Sequence, residues 1–348
     1  MTDSAAIDPQ ASELSATVTQ SWKRFLEIYE PLRPVLYRFC RYVSRSPWDA
    51  EDLVQDTLAR AFATLGGLTE PPRDPRAWLF RVASNLWIDH VRMQGGRPSS
   101  ASTAQPDPDH PADAATVVPE RGTREAAGTL LVQLSPQERA AVVLKDAFDL
   151  GLDQIAEILS TSVGAVKAAL HRGRGKLSEP DPDVMRTPAS GVLDEFCSAF
   201  NARDLQRLTA LLLDHATVEV VGASTIYGAT SARGTVLTGM LFGSKRMAAP
   251  ADGGRGDGID PRFAQGVLPE PARLELRYHR GEHLLLSWYA HRDGQFVRAV
   301  SLVEPSPDGD RIARLRNYFF TPEVIVELCG ELNLPCRTNG TFRARGAG

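Results

Sequence analysis

Between Thr161 and Ser178 the chain carries no acidic residue, while Lys167, His171, Arg172, Arg174 and Lys176 crowd into ten positions. Cationic side chains at this density do binding chemistry: they neutralise and hydrogen-bond phosphate oxygens. Lys167, His171 and Arg174 are spaced four and three residues apart, so on a helix they share one face. Val166 and Leu170 form an apolar stripe beside it. That pairing of stripes fits a recognition helix in a DNA major groove. Base edges would be read near the helix start by Ser162, Ala165 and Lys167, and phosphates by His171, Arg172 and Arg174. A solvated basic face on an ordinary helical hairpin is the competing reading.

Other residue types could support acid–base chemistry. His279, His283, His291, Asp214, Glu219 and Asp293 are candidates, but no pair has a diagnostic spacing. His279 and His283 flank "RGE", which places them on two strand ends beside a turn; two histidines alone are a weak zinc signal. No Ser–His–Asp arrangement, phosphate loop or activated cysteine is visible, so the sequence assigns no catalytic residue and no metal ligand. Trp288, Tyr278 and Tyr289 are the aromatic candidates to line a cavity for a small ligand, although half of such an alternating set must face outward.

These side chains need elements to hold them. "LDQIAEILSTSVGAVKAAL" reads as helix, turn, helix, with "STS" as the turn and Ser162 as N-cap of the second helix. "SPWDAEDLVQD" begins another helix, with Ser46 as cap, Pro47 behind it and acids in the first turn. "RAWLFRVASNLWIDHVRM" is a further helix, preceded by the loop "GGLTEPPRDP". Residues 95–120 hold Pro, Ser, Ala and Asp with little that is apolar, the composition of a flexible linker. "SEPDPDVMRTP" is a second linker. After residue 188 a helix pair, "GVLDEFCSAFNARDLQRLTALL", gives way to "ATVEVVG", "ARLELRYHR", "HLLLSWYAHR", "QFVRAVSLVEP" and "DRIARLRNYFF", which read as strands. "TPEVIVELCGELNL" closes as a helix. The order implies a curved antiparallel sheet wrapped around helices, an α+β domain.

At 348 residues two or three domains are expected. The formal net charge is −4. Its distribution says more: 22–97 and 130–178 run net basic, and 98–129 between them run net acidic. No apolar run of about eighteen residues occurs, so no membrane span is expected. The first residues lack the basic and apolar regions of a secretory signal. Cys40, Cys197, Cys329 and Cys336 form no CxxC pair, as expected of reduced thiols in a cytoplasmic protein.

"DAEDLVQDTLARAF" followed by "DPRAWLFRVASNLWIDHVR" resembles the core domain of bacterial sigma factors of the extracytoplasmic-function class. "LSPQERAAVVLKDAFDLGLDQIAEILSTSVGAVKAALHRGRGKL" resembles that class's second DNA-binding domain. The half after 188 looks like the cone-shaped SnoaL-like domain that some of these factors carry. The resemblance implies two all-α domains, the second with a helix-turn-helix, followed by an α+β cone. It divides the chain into a core domain at 22–97, an acidic linker at 98–123 and a helix-turn-helix domain at 124–178. A linker at 179–187, a SnoaL-like domain at 188–320 and a helical tail at 321–348 follow.

The resemblance also implies partners and residues. Asp49, Glu51, Asp52, Gln55 and Asp56 would present an acidic, polar face to the clamp helices of the largest subunit of core RNA polymerase. Stabilisation of the helix dipole by first-turn acids is compatible with that role. Arg76, Trp78, Arg81, Asn85, Asp89 and Arg92 would meet the −10 promoter element, with Trp87 beside them. Phosphates, stacked bases and base hydrogen bonds are the contacts available there. Core packing competes as a role for Trp78 and Trp87. Ser162, Ala165, Lys167, His171, Arg172 and Arg174 would meet the −35 element. The linker would thread the polymerase's nucleic-acid channel, or be a plain tether. The cone would regulate in cis, with a small ligand as one way to do so. No cofactor, no covalent catalysis and no membrane association are implied. Two other readings stay open: a stand-alone DNA-binding regulator, and a small-molecule isomerase or hydrolase with a helical appendage.

Overall fold

The computed structural model describes residues 9–68, 70–94, 134–175, 191–247, 271–291 and 293–341. The expected linkers at 98–123 and 179–187 lie outside the described residues. The chain divides into two compact units, one of Glu27–Pro182 and one of Asp183–Gly348 with Met1–Leu26. The two helical blocks that the acidic stretch separates in sequence therefore belong to a single unit. Among the described residues no helix is long and apolar enough to cross a membrane.

The chain opens with α1 (Pro9–Tyr29). In the helical unit, α2 (Arg33–Ser44) stops at Arg45, which adopts a left-handed conformation with φ 67°. Ser46 then turns extended, and its Oγ accepts the Asp49 amide at 3.2 Å, starting α3 (Pro47–Leu65). Asp74 does the same for α4 (Pro75–Gln94), accepting the Ala77 amide at 3.0 Å. Leu36, Phe39, Val54, Leu58, Leu79 and Phe80 fill the core between these three helices, each contributing about 1.5–3 kcal/mol through burial. Arg33 and Glu51 form an ion pair inside this core, at 3% and 0% exposure.

In the second block the first described helix opens with a reciprocal cap. Ser135 Oγ accepts the Glu138 amide and Glu138 Oε2 accepts the Ser135 amide, opening α5 (Pro136–Val142). A π-helical turn, Val143–Ala147, follows. Then come α6 (Leu152–Ile158) and α7 (Val163–Gly175). The turn between them passes through Ser160 at φ 50°, and Ser162 Oγ caps α7 by accepting the Ala165 amide at 3.1 Å, as the sequence predicts. Gly173 lets α7 lie against α5: a Cβ there would stand 2.6 Å from Val142 Cγ2.

The second unit packs α8 (Gly191–Asn201) and α9 (Leu205–Leu211) on one face of a six-stranded sheet. Its strands are β1 (Leu212–Val220), β2 (Ser224–Tyr227), β3 (Pro271–His279), β4 (Glu282–His291), β5 (Gly294–Pro305) and β6 (Ile312–Tyr318). The spatial order is β2-β1-β6-β5-β4-β3. After β2 come α10 (Ala229–Ala232), a π-helical turn (Arg233–Leu237) and α11 (Thr238–Met247), a stretch in which the sequence reading placed no element. Phe196, Phe200 and Leu208 meet Val218, Leu274, Leu285 and Leu315 in the core. The Asn201 amide group exchanges two hydrogen bonds with the backbone of Leu274, fixing the end of α8 to β3.

The expectation of an antiparallel sheet is corrected at one ladder: β1 and β6 run parallel, with Val218 opposite Leu315. After the β1–β2 hairpin the chain crosses to the far edge and returns through β3, β4, β5 and β6. Three antiparallel steps bring β6 alongside β1 in the same direction. On the opposite face α12 (Pro322–Glu331) buries Val324, Ile325, Leu328 and Cys329 and packs on β5. The side chains that alternate onto that face, Leu284, Leu286, Val300 and Tyr318, are buried as well.

Candidate nucleic-acid interface

Val166, Ala169 and Leu170 of α7 are buried, and Ser162, Ala165, Lys167 and His171 are exposed. This is the outcome expected of apolar and basic stripes on one helix. Arg172 has a second engagement: its Nε donates to Glu138 Oε1 at 2.6 Å while 56% of its side chain stays exposed. It thus braces the cap of α5 from α7. Arg174 lies in α7, but its side chain and Lys176 fall outside the described residues.

The α4 residues divide into two groups. Asn85, Asp89 and Arg92 are exposed, with Arg92 3.7 Å from Asp89. Trp78 is half-buried with its ring 5.6 Å from that of Tyr29, and Trp87 is 9% exposed beneath the Arg139 guanidinium. Arg76 and Arg81, by contrast, face the second helical block. Arg81 donates to Glu157 of α6 at 2.8 Å. Arg76 lies over the rings of Phe80 and Phe148, 5.3 and 5.6 Å from their centroids.

Phe148 is the residue that sequence reasoning missed. It follows the π-helical turn in "KDAFDLG", and its ring stands 5.0 Å from Phe80 and 6.2 Å from Phe39. Arg38 covers it from another side at 5.8 Å. Its only sequence signal is an aromatic residue set in a polar turn. Nearby, Arg139 donates to the Val43 carbonyl at 2.7 Å. Burial, with Arg45 close by, lowers its guanidinium pKa to about 10. Two of the residues expected to meet promoter DNA, Arg76 and Arg81, thus touch the helix-turn-helix block.

The acidic face of α3 is narrower than its sequence suggests. Asp49 and Asp56 are exposed and Asp52 is half-exposed. Burial, then the neighbouring Asp52 charge, raises the Asp56 carboxyl pKa, against the pull of His90. Glu51 is not on this face. It is fully buried, paired with Arg33, and accepts Gln55 Nε2 at 2.6 Å. The spacing that puts Asp49, Asp52 and Asp56 outside turns Glu51 inward.

Residues 28–97 match the family Sigma-70 region 2, and residues 124–177 match Sigma-70, region 4. SigG of Mycobacterium tuberculosis (strain CDC 1551 / Oshkosh), an ECF RNA polymerase sigma factor, is 31% identical over 221 residues. That alignment covers 55% of this chain and 60% of SigG. SigJ of Mycobacterium tuberculosis (strain ATCC 25618 / H37Rv), another ECF RNA polymerase sigma factor, is 31% identical over 217 residues, covering 59% of this chain and 67% of SigJ. The chain belongs to the ECF RNA polymerase sigma factor family. The crystal structure of Mycobacterium tuberculosis SigJ aligns with 86% of this ECF sigma factor and 97% of that chain, at 21% identity and a TM-score of 0.30.

The acid–base candidates in the second unit of this ECF sigma factor are spread over several places in the sheet. Glu219 accepts from Arg314 and Arg316 at 3.2 and 2.9 Å, and Asp214 pairs with Arg311 at 3.2 Å. His279 ends β3, as expected, and its Nε2 meets Glu331 Oε2 of α12 at 2.6 Å. His283 alternates to the other face, against the ring of Tyr278 at 5.1 Å. His291 lies between Arg298 and Arg337, at 3.4 and 3.3 Å. Burial and these two cations lower its pKa, with Asp293 opposing. Among the described residues no group of three or more His, Cys, Asp or Glu side chains is arranged to hold a metal. Trp288 and Tyr289 are both buried, and Trp288 lies 4.8 Å from the Arg273 guanidinium.

Proposed function

We propose that this ECF sigma factor binds core RNA polymerase in the cytoplasm, recognises the −10 and −35 promoter elements, and allows the polymerase to initiate transcription. The observation that carries the reading is the exposed, acid-free face of α7 within the same compact unit as α4. A basic helix face gives affinity for phosphates, and its capped N-terminus brings Ser162 and Ala165 toward base edges. Asp49, Asp52 and Asp56 supply the acidic contact to the polymerase clamp helices, with Gln55 at its rim. Glu51 holds α3 to α2 from within. Asn85, Asp89 and Arg92 meet the −10 element directly.

Arg76 and Arg81 reach that element only after Phe148 and Glu157 withdraw. Opening of the helical unit is thus a step in polymerase binding. The bond chemistry belongs to the polymerase, and this chain contributes binding energy and strand separation rather than catalysis. The SnoaL-like domain regulates the step in cis, since tethering gives it a high effective concentration near the helical unit.

Pull-down of core polymerase and promoter-specific transcription test the reading. The full chain is expected to bind and to direct initiation. Failure to associate with core polymerase, for both the full chain and a chain ended after residue 180, rules it out. Equal activity and promoter choice from those two chains would remove the regulatory role alone.

A further inference from the structure

Two cysteines meet where the second unit ends. Cys329 lies in the last turn of α12 and is 1% exposed, whereas Cys336 is half-buried. The chain reverses between them, with the Leu334 amide donating to the Cys329 carbonyl at 2.8 Å and Asn333 at φ 54°. This reversal and the seat of Cys336 beside Val297 return Cys336 to the end of α12 that holds Cys329.

The segment after the reversal fills a gap in the sheet. β6 pairs with β5 only from Val300 onward, so the first half of β5 extends beyond it. There the Val297 amide donates to the Pro335 carbonyl at 2.9 Å, and the Arg337 amide to the Val297 carbonyl at 3.0 Å. Cys336 thereby bridges Val297 in parallel sense. Asn339 fastens the far end of this strap, its Nδ2 donating to the carbonyls of Arg298 and Phe319, each at 2.9 Å. The strap covers what would otherwise be an open strand edge.

We propose that Cys329 and Cys336 are a redox-active pair that closes to a disulfide under a peroxide oxidant, locking the 335–339 strap to α12. This inference stands independently of the sigma activity. Cys336 is the accessible member. Its sulfur, as thiolate, attacks a peroxide oxygen, giving a sulfenic acid and hydroxide, which takes up a proton as water. The Cys329 sulfur then attacks the Cys336 sulfur and the S–O bond breaks. The departing hydroxide takes the Cys329 proton and leaves as a second water. Two thiols lose two electrons and one peroxide becomes two waters. Burial, then the neighbouring Cys336, raises the Cys329 thiol pKa. Cys40, fully buried, and Cys197, pushed up to about 11 by burial, Asp194 and Glu275, serve as internal controls.

Asn317–Arg337 contains both cysteines and no Lys or Arg within it, so trypsin releases them in one peptide. Full-length protein treated with hydrogen peroxide, then alkylated and digested, is expected to yield this peptide two hydrogens lighter and unalkylated, reversibly with dithiothreitol. Amide exchange over 333–339 should slow by at least about tenfold in the oxidised chain. Cys336→Ser should abolish both effects. A peptide carrying sulfinic or sulfonic Cys336 beside a free Cys329, or a peptide still fully alkylated after oxidation, would overturn the pairing. Unchanged strap exchange in protein shown to carry the disulfide would overturn the lock.

Discussion

The Arg81 guanidinium lies 2.8 Å from the Glu157 carboxylate, joining α4 to the first helix of the helix-turn-helix. The pair is open to water, with side chains 37% and 77% exposed. An ion pair of this kind contributes at most about 1 kcal/mol and is screened by salt. Phe148, set among Phe39, Phe80, Arg38 and Arg76, is the stronger half of the contact between the blocks.

Phe148→Ala should therefore open the helical unit more than Glu157→Gln does. The aromatic and cation–π contacts it removes are worth about 1–3 kcal/mol in total. Limited proteolysis of the second block should accelerate about tenfold in Phe148→Ala and less than about fivefold in Glu157→Gln. Equal effects of the two substitutions would contradict this ranking.

Glu51→Ala should act on stability rather than on recognition. It removes a carboxylate partner of the buried Arg33 guanidinium, at a cost of about 3–5 kcal/mol. Asp49→Ala changes an exposed first-turn residue, whose dipole contact is worth about 0.3–1 kcal/mol, and should cost less. Urea unfolding should thus separate two residues that stand two apart in sequence. Replacing both partners, Arg33→Met with Glu51→Leu, should recover most of the loss.

Gly173→Ala should strain the second block, because the new Cβ would press on Val142 Cγ2. Overpacking of this kind costs about 1–3 kcal/mol. In a Val142→Ala background the penalty should shrink, and a double-mutant cycle measures the coupling.

Replacing Lys167, His171 and Arg174 with Ala should weaken binding to upstream promoter DNA and leave association with core polymerase intact. Each lost phosphate contact lowers the slope of log affinity against log salt by about one. An unchanged footprint at the upstream element would remove α7 from the interface.

His291 gives the second unit a pH dependence of definite sign. Burial, Arg298 and Arg337 hold its folded pKa below the ordinary 6.5, so the folded state binds fewer protons than the unfolded state just below that pH. Stability should fall as pH drops through 6.5 and level off below the depressed folded value. His291→Asn should flatten this slope in denaturant midpoints measured from neutral to mildly acidic pH.

Short-range physics was legible in the residues themselves. Caps at Ser46 and Ser162 are hydrogen bonds across three residues. The division of α7 into buried Val166 and Leu170 and exposed Lys167 and His171 follows from helical period alone. The strands after 270 were readable because alternation and bounding turns are equally local. The tertiary structure decided which residues meet across long separations. Glu51 belongs to an acid-rich run, yet it is buried because Arg33, eighteen residues earlier, waits inside. Arg81 looks like a free cation until Glu157, seventy-six residues later, comes beside it. The parallel β1–β6 ladder, the seat of Phe148 and the Cys329–Cys336 meeting depend on the same thing. Period and capping are set by backbone sterics within a few residues, but a contact partner is chosen by how whole elements pack.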